Sequence, residues 1–441
     1  MGGGFWQKPT DTSIKPEYNL IEEALLMKRN LVKGLFLLLV AALIGSTCVF
    51  AADPVKLTLF FYKQEINNQL QEMVDTFSKS HPDISIDLQM IPNDSLSYIR
   101  SKLASGQAPE ILQIQSYSNV FEFAQSGWLQ DLSKEPVLSK VVESTKTSVT
   151  YKGKIYALPM DVAGIGIIYN KDIFKKYGLK PPATFKELQA VCATLKKNKV
   201  TPFASMFKVN WSLGHFISMV HTTLAGPKVL PWIESMNSGK GSFADPVNIK
   251  DVFRMLDFYK ANSDPKAAEF DWNEQQASFA KGEAAMMVQG LWSYGAAIAT
   301  NPKLNCGFIP FPCTNNPKDA KLFADVDSTF AIAASASPEK TKAAKAFLEW
   351  LGTPEAIKIW VDKCKLVPTF KGADVKSMDA PFQDLVAYLN SGKTNPWAFA
   401  MYPTPAFEDA CKNGAQEYIF GRKNAQQVVQ YFDETWRKAQ K

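Results

Sequence analysis

A chain of 441 residues exceeds the size at which one hydrophobic core keeps growing, so two domains are the expectation. It is 46% hydrophobic and 21% charged, a globular composition that excludes intrinsic disorder. The formal net charge is +6, with lysines scattered among acids and not gathered into blocks, which argues against a nucleic-acid surface.

Residues 1–26 are polar, hold two prolines and precede a complete export signal, so they read as a mis-assigned start or an added leader. From Met27 the chain runs Met27-Lys28-Arg29-Asn30-Leu31-Val32-Lys33, then an apolar stretch from Leu35 to Ile44. Val49 and Ala51 place small residues at −3 and −1, so residues 27–51 form a signal peptide cleaved after Ala51. The apolar stretch is short of the roughly 20 residues that a membrane span needs. Thr47 before Cys48 stands where a lipidation site wants Gly, Ala or Ser, which favours a free exported protein.

In the mature chain Val55, Leu57, Leu59 and Phe61 alternate with Lys56, Thr58 and Phe60, the two-residue period of a strand. Leu70, Met73, Val74 and Phe77 fall at helical spacing, and Ser80-His81-Pro82-Asp83 stops that helix. Ile84, Ile86, Leu88 and Met90 alternate as a second strand, a helix follows from about Asp94 to Ala104, and Ile111 to Ile114 is strand-like. This succession is the βαβ signature of a mostly parallel sheet. Further on, Ile155 to Leu158 and Ile165 to Tyr169 read as strands, and Thr184 with Glu187 forms a capping box ahead of Leu188, Val191, Cys192 and Leu195. Ala344, Phe347, Leu348 and Leu351 mark a late amphipathic helix, and the class is α/β.

Catalytic chemistry finds few residues. Among His81, His215 and His221 no pair has metal-ligand spacing, and HExxH, P-loop and GxSxG patterns are absent from the sequence. Gly164-Ile165-Gly166 lacks the rest of a dinucleotide fingerprint and reads as close backbone packing. Five cysteines follow the cleavage point, none in a zinc pattern, and Cys306 and Cys313 are spaced to close a small loop if oxidised. No cofactor is expected. What the chain offers instead lies at strand ends, where open α/β sheets bind ligands. Tyr62, Lys63 and Gln64 follow the first strand, Gln115, Ser116 and Tyr117 the third; Met160 and Asp161 follow Leu158-Pro159, and Trp292 follows Met286 to Gly290. Aromatic faces plus planar polar side chains are what a sugar requires.

Four stretches then carry a family resemblance: Ala108-Pro109-Glu110-Ile111 through Gly127-Trp128-Leu129-Gln130-Asp131-Leu132; Tyr151 to Pro159 with Ile168-Tyr169-Asn170-Lys171-Asp172; Pro182-Ala183-Thr184-Phe185; and Phe279-Ala280-Lys281-Gly282-Glu283-Ala284-Ala285-Met286 with Gly290-Leu291-Trp292. In order and spacing they resemble the extracellular solute-binding proteins of family 1, the maltose-binding-protein-like sugar receptors of ABC importers, from about Val55 to the C-terminus. The resemblance implies a two-lobed periplasmic binding protein fold with an interlobe ligand cleft and a hinge. It implies a first lobe of residues 53–161 plus 325–366 and a second of 162–324 plus 367–441. Asp325-Val326-Asp327-Ser328-Thr329-Phe330 matches the family's return crossover and carries acids where glycines are common.

The ligand-binding residues so implied are Trp292 as the stacking aromatic, Trp211 as a second, Gln115 and Tyr117 on the first-lobe loop, and Asp161 and Asp327 near the hinge. Tyr62, Lys63 and Trp397 complete the set. The expected function is capture of a mono- or oligosaccharide by a monomeric periplasmic receptor that delivers it to ABC permease subunits, with no enzymatic activity and no nucleic-acid partner. The acids leave a polyamine or other non-sugar solute as the alternative. A secreted carbohydrate-active enzyme and a sensory or adhesive surface protein are the rivals of other classes.

Overall fold

β1, Val55–Phe61, forms where the alternation predicts it, with Leu57, Leu59 and Phe61 buried on one face and Phe60 on the other. Burial of both faces at the strand's end fits a parallel sheet covered on two sides. The computed structural model describes residues 53–91, 95–402 and 405–439, with 1–2 and 27–28; most of the leader and of the signal peptide, Cys48 included, lies outside the described residues. Among the described residues no helix is long and apolar enough to cross a membrane.

The strands continue as β2 Ile84–Met90, β3 Ile111–Gln115, β4 Leu158–Pro159, β5 Asp161–Asn170, β6 Thr201–Ala204, β7 Ala284–Gly290, β8 Cys306–Ile309, β9 Leu322–Val326, β10 Ser328–Ile332, β11 Val367–Pro368 and β12 Thr394–Asn395. They make two sheets inside the unit Pro54–Lys441. The first has order β2-β1-β3-β10-β4, with β1 parallel to both neighbours and β10 antiparallel to β3. The second has order β12-β9-β5-β7-β6, and β8 and β11 also pair with β5. β5 is the long central strand, antiparallel to β7, β8, β9 and β11. The first sheet packs its core from Leu70, Phe77, Phe330 and Phe347; the second carries a larger one that includes Leu188, Phe216, Met286 and Phe432.

The helices follow their sequence signals. Asn67–Ser80 buries Leu70, Met73, Val74 and Phe77, and Thr184 and Glu187 close the capping box of Phe185–Lys197. The strand expected over Ile155 to Leu158 is instead two short pieces, Lys154–Ile155 and β4. Lys152 and Gly153 have positive φ and turn Thr150–Tyr151 back onto Lys154–Ile155, and Pro159 has no N–H to extend a ladder. Cys306 and Cys313 are free, buried thiols, and Cys192, Cys364 and Cys411 are buried too. Burial pushes Cys306 and Cys313 up to about 12, so neither is a nucleophile at neutral pH.

Gly164 and Gly166 do serve close packing. A Cβ at Gly166 would sit 2.4 Å from the Ile309 carbonyl oxygen on β8, and one at Gly164 would lie 3.0 Å from Leu385 and Phe308 side chains. Gly166→Ala must therefore push backbone against backbone in the middle of the second sheet. It should cost roughly 1–3 kcal/mol, read as a lower urea midpoint with unchanged m-value.

Candidate ligand-binding cleft

Two chain crossings join the two sheets, Pro159–Asp161 and Val326–Ser328, and Pro368–Thr369 runs beside them. Met160 N–H donates to the Ser328 carbonyl (2.9 Å), Asp327 N–H to the Asp161 carbonyl (3.0 Å), and Thr369 N–H to the Met160 carbonyl (3.0 Å). Lys63, just past β1, reaches into this seam. Its Nζ lies 2.8 Å from Asp161 Oδ2 and 2.6 Å from Asp327 Oδ2, with Lys63 3% and Asp161 0% exposed. Ser328 donates its Oγ–H and backbone N–H to Asp161 Oδ1. Burial works against the Lys63 charge, but the two aspartates overcome it and hold its pKa above the ordinary lysine value. Burial likewise raises the Asp327 carboxyl, against the pull of Lys63.

Beside this seam a cleft of about 620 Å³ opens between the two sheets. One wall comes from the first sheet and holds Tyr62, Lys63, Gln64, Glu65, Gln113, Gln115, Asn119 and Asp327. Tyr62 to Glu65 and Gln115 sit at the carboxyl ends of β1 and β3 and Asn119 on the following helix, where the rule for open α/β sheets puts a ligand. Gln113 lies within β3 and Asp327 on the crossing before β10. The facing wall is aromatic: Trp211, His215, Trp272, Trp292, Trp397 and Phe399. Trp211 and Trp272 ring centroids are 5.9 Å apart, His215 stacks on Phe399 at 4.5 Å, and Trp292 meets Trp397 edge-on at 6.1 Å. Trp292 can lie where it does because Gly290 has no side chain; a Cβ there would fall 2.2 Å from the indole. Burial, aided by Lys412, pushes His215 down to about 3, so its imidazole is neutral at physiological pH and offers one donor and one acceptor.

Seven of the nine residues expected at the site line this cleft: Trp292, Trp211, Gln115, Tyr62, Lys63, Asp327 and Trp397. Trp397 is fully buried, with its indole N–H on the Phe323 carbonyl at 3.0 Å, so it backs Trp292. Asp161 does not reach the cleft, because Lys63 and Ser328 hold its carboxylate inside the seam. Tyr117 is also absent from the lining. It has φ +58°, unusual for a tyrosine, and its hydroxyl donates to Asp325 at 3.1 Å, while its ring packs on the second-lobe core. Asp325 in turn accepts from the Trp397 N–H at 3.2 Å, so Tyr117 ties one lobe to the other.

The sequence reading missed Glu65, Gln113, Asn119, His215, Trp272 and Phe399. Two of them carried a signal: Gln113 shares a strand face with Gln115, and His215 lies one helical turn after Trp211. Among the described residues no group of His, Cys, Asp and Glu is arranged to hold a metal ion.

Residues 63–358 match the family described as bacterial extracellular solute-binding protein. The chain belongs to this family. Its curated relatives include the multiple sugar-binding protein of Streptococcus mutans serotype c, 24% identical over 349 residues, covering 78% of this chain and 82% of the relative. The melibiose/raffinose/stachyose-binding protein MelE of Bacillus subtilis strain 168 is 22% identical over 414 residues, covering 89% and 92%. Among solved structures, a RafE solute-binding protein in complex with raffinose superposes with a TM-score of 0.77 at 20% identity, over 88% of this chain and 100% of that one. A chitin oligosaccharide binding protein gives 0.77 at 21% identity, over 87% and 99%. These likenesses establish the two-lobed fold of solute-binding proteins, with the cleft between the lobes.

Two outcomes follow from the seam. Lys63→Met would leave Asp161 and Asp327 buried together without a counter-charge, a loss of about 3–5 kcal/mol in urea unfolding, partly restored by adding Asp161→Asn and Asp327→Asn. Glu65, beside Lys63, has its carboxyl pushed by burial from an ordinary 4.5 to about 7, in spite of the lysine. Between those values the folded chain binds more protons than the unfolded one, so stability falls as pH rises. In thermal melts the advantage of Glu65→Gln over the parent should open from about pH 4.5 to about pH 7 and stay level above.

Proposed function

We propose that this chain is a receptor that captures a saccharide between its lobes and hands it to the membrane permease of an ABC importer. In this reading it acts as a monomer, free in the periplasm after removal of residues 27–51, with lobes of 53–161 plus 325–366 and 162–324 plus 367–441. Tyr62, Lys63, Gln115, Asp327, Trp211 and Trp292 contact the ligand; Trp397 supports Trp292, and Asp161 and Tyr117 act on the hinge.

The observation that carries the reading is the opposition of two kinds of wall across one cleft. Indole faces on one side suit the C–H faces of pyranose rings, and amides and carboxylates on the other suit their hydroxyls. The relatives' names point the same way, since they bind multiple sugars, melibiose, raffinose and stachyose. Closure would be a population shift driven by the extra contacts that the ligand makes with both walls at once.

A polyamine receptor of the same fold is the second reading, because Glu65, Asp271, Asp327 and Asp409 face only Lys63 and Lys412 on the cleft wall. Most of that acidity is already used. Asp327 pairs with Lys63, Asp409 lies 3.7 Å from Lys412, and Asp271 caps its own helix. The enzyme reading needs a carboxylate pair open to substrate. The buried pair that exists, Asp161 with Asp327, is held by Lys63, and Asp161 is sealed from the cleft.

Thermal melts of residues 52–441 against raffinose, maltotriose, mannitol and spermidine separate these readings. A saccharide should raise the midpoint by a few degrees, increasingly with concentration. In Trp292→Ala its affinity should fall by about tenfold or more. A shift with spermidine alone would replace the saccharide with a cation, and turnover of any glycan would replace binding with catalysis.

A further inference from the structure

Gln113 is fully buried in the middle of β3, on the back wall of the cleft. Its Oε1 accepts the backbone N–H of Tyr62 at 3.1 Å, which fixes the orientation of the amide. Its Nε2 is buried with no hydrogen-bond partner. A buried donor left unmade is costly, and native chains leave few of them. Asn119, also buried on this wall, and Gln115, at the end of the same strand, make no side-chain hydrogen bond among the described residues either. Three planar amides thus keep free N–H donors on the wall that faces the indoles.

The charges beside them restrict what can complete those bonds. A polyamine carries donors only and cannot satisfy an N–H. An anionic acceptor would meet the buried pair Asp161 and Asp327, of which Lys63 balances only one. A neutral hydroxyl fits both demands, since its oxygen accepts from an amide while its proton goes to a carboxylate.

Resting on the saccharide reading, we infer that Gln113 and Asn119 donate to neutral hydroxyl oxygens of the ligand, and that this wall selects uncharged polyhydroxy solutes over both amines and acidic sugars. Gln113 is then a specificity residue in its own right. Glutamate at this position keeps the acceptor for Tyr62 and puts a carboxylate oxygen, with its charge, where the free donor was, which makes it the discriminating substitution.

The test is calorimetric titration of the parent, Gln113→Glu and Asn119→Ala with raffinose, maltotriose, mannitol, spermidine and galacturonic acid, each variant first checked for an intact cooperative melt. The parent should bind a neutral solute and neither spermidine nor galacturonic acid. Each variant should lose on the order of 10- to 100-fold in affinity for that solute. If Gln113→Glu does not fold, Asn119→Ala carries the comparison alone. Unchanged affinity in the folded variants, or tighter binding of galacturonic acid by the parent, overturns this inference and leaves the saccharide reading standing. Binding of spermidine and of no saccharide overturns both.

Discussion

The molecule is organised around one lysine that holds two aspartates. Asp161 begins the strand that leaves the first sheet, Asp327 sits on the crossing between β9 and β10 that returns to it, and Lys63 grips both from just past β1. An ion cluster removed from water gains little net stability, because desolvation offsets most of the attraction. Its physical value here is positional. Each carboxylate is stable in the interior only while Lys63 touches it, so the two crossings are held in register at the point where the lobes meet.

That constraint sets the chemistry of the cleft. With Lys63 spent on the seam, the first-lobe wall presents amides and one carboxyl whose charge burial suppresses. The second-lobe wall is equally quiet, since its one histidine is kept neutral by burial and by Lys412. A site that sets amides against indole faces, with Asp327 already paired to Lys63, suits recognition by shape and hydrogen bonding. The acids at Asp325 and Asp327, where the family commonly has glycines, fit this account: one is tied to Tyr117 and Trp397, the other to Lys63.

Much of the fold was legible because periodicity reports which face of an element meets a core. Val55 to Phe61, Leu70 to Phe77 and the Thr184 capping box appear as read, and the family follows from motifs in the right order. Trp292 reached the cleft wall because it follows the end of a strand, a position the sequence does display. Contacts made across long sequence separations were not legible. Nothing near Asp161 in the chain tells that a lysine 98 positions earlier will claim it, or that Tyr117 will turn away to a carboxylate 208 positions later. Gln113 was overlooked because an apolar run around a polar residue reads as a buried strand, and the one free N–H is a property of packing alone.

The side-by-side crossings carry a mechanical consequence. Two connections laid along one seam, with Pro368–Thr369 hydrogen-bonded beside them, act as a door hinge and not as a ball joint: they let the lobes swing about the seam and resist twisting or sliding. The indole wall must then approach the amide wall along a single arc, as one rigid jaw. Selection among solutes becomes a matter of thickness measured across the cleft near the seam.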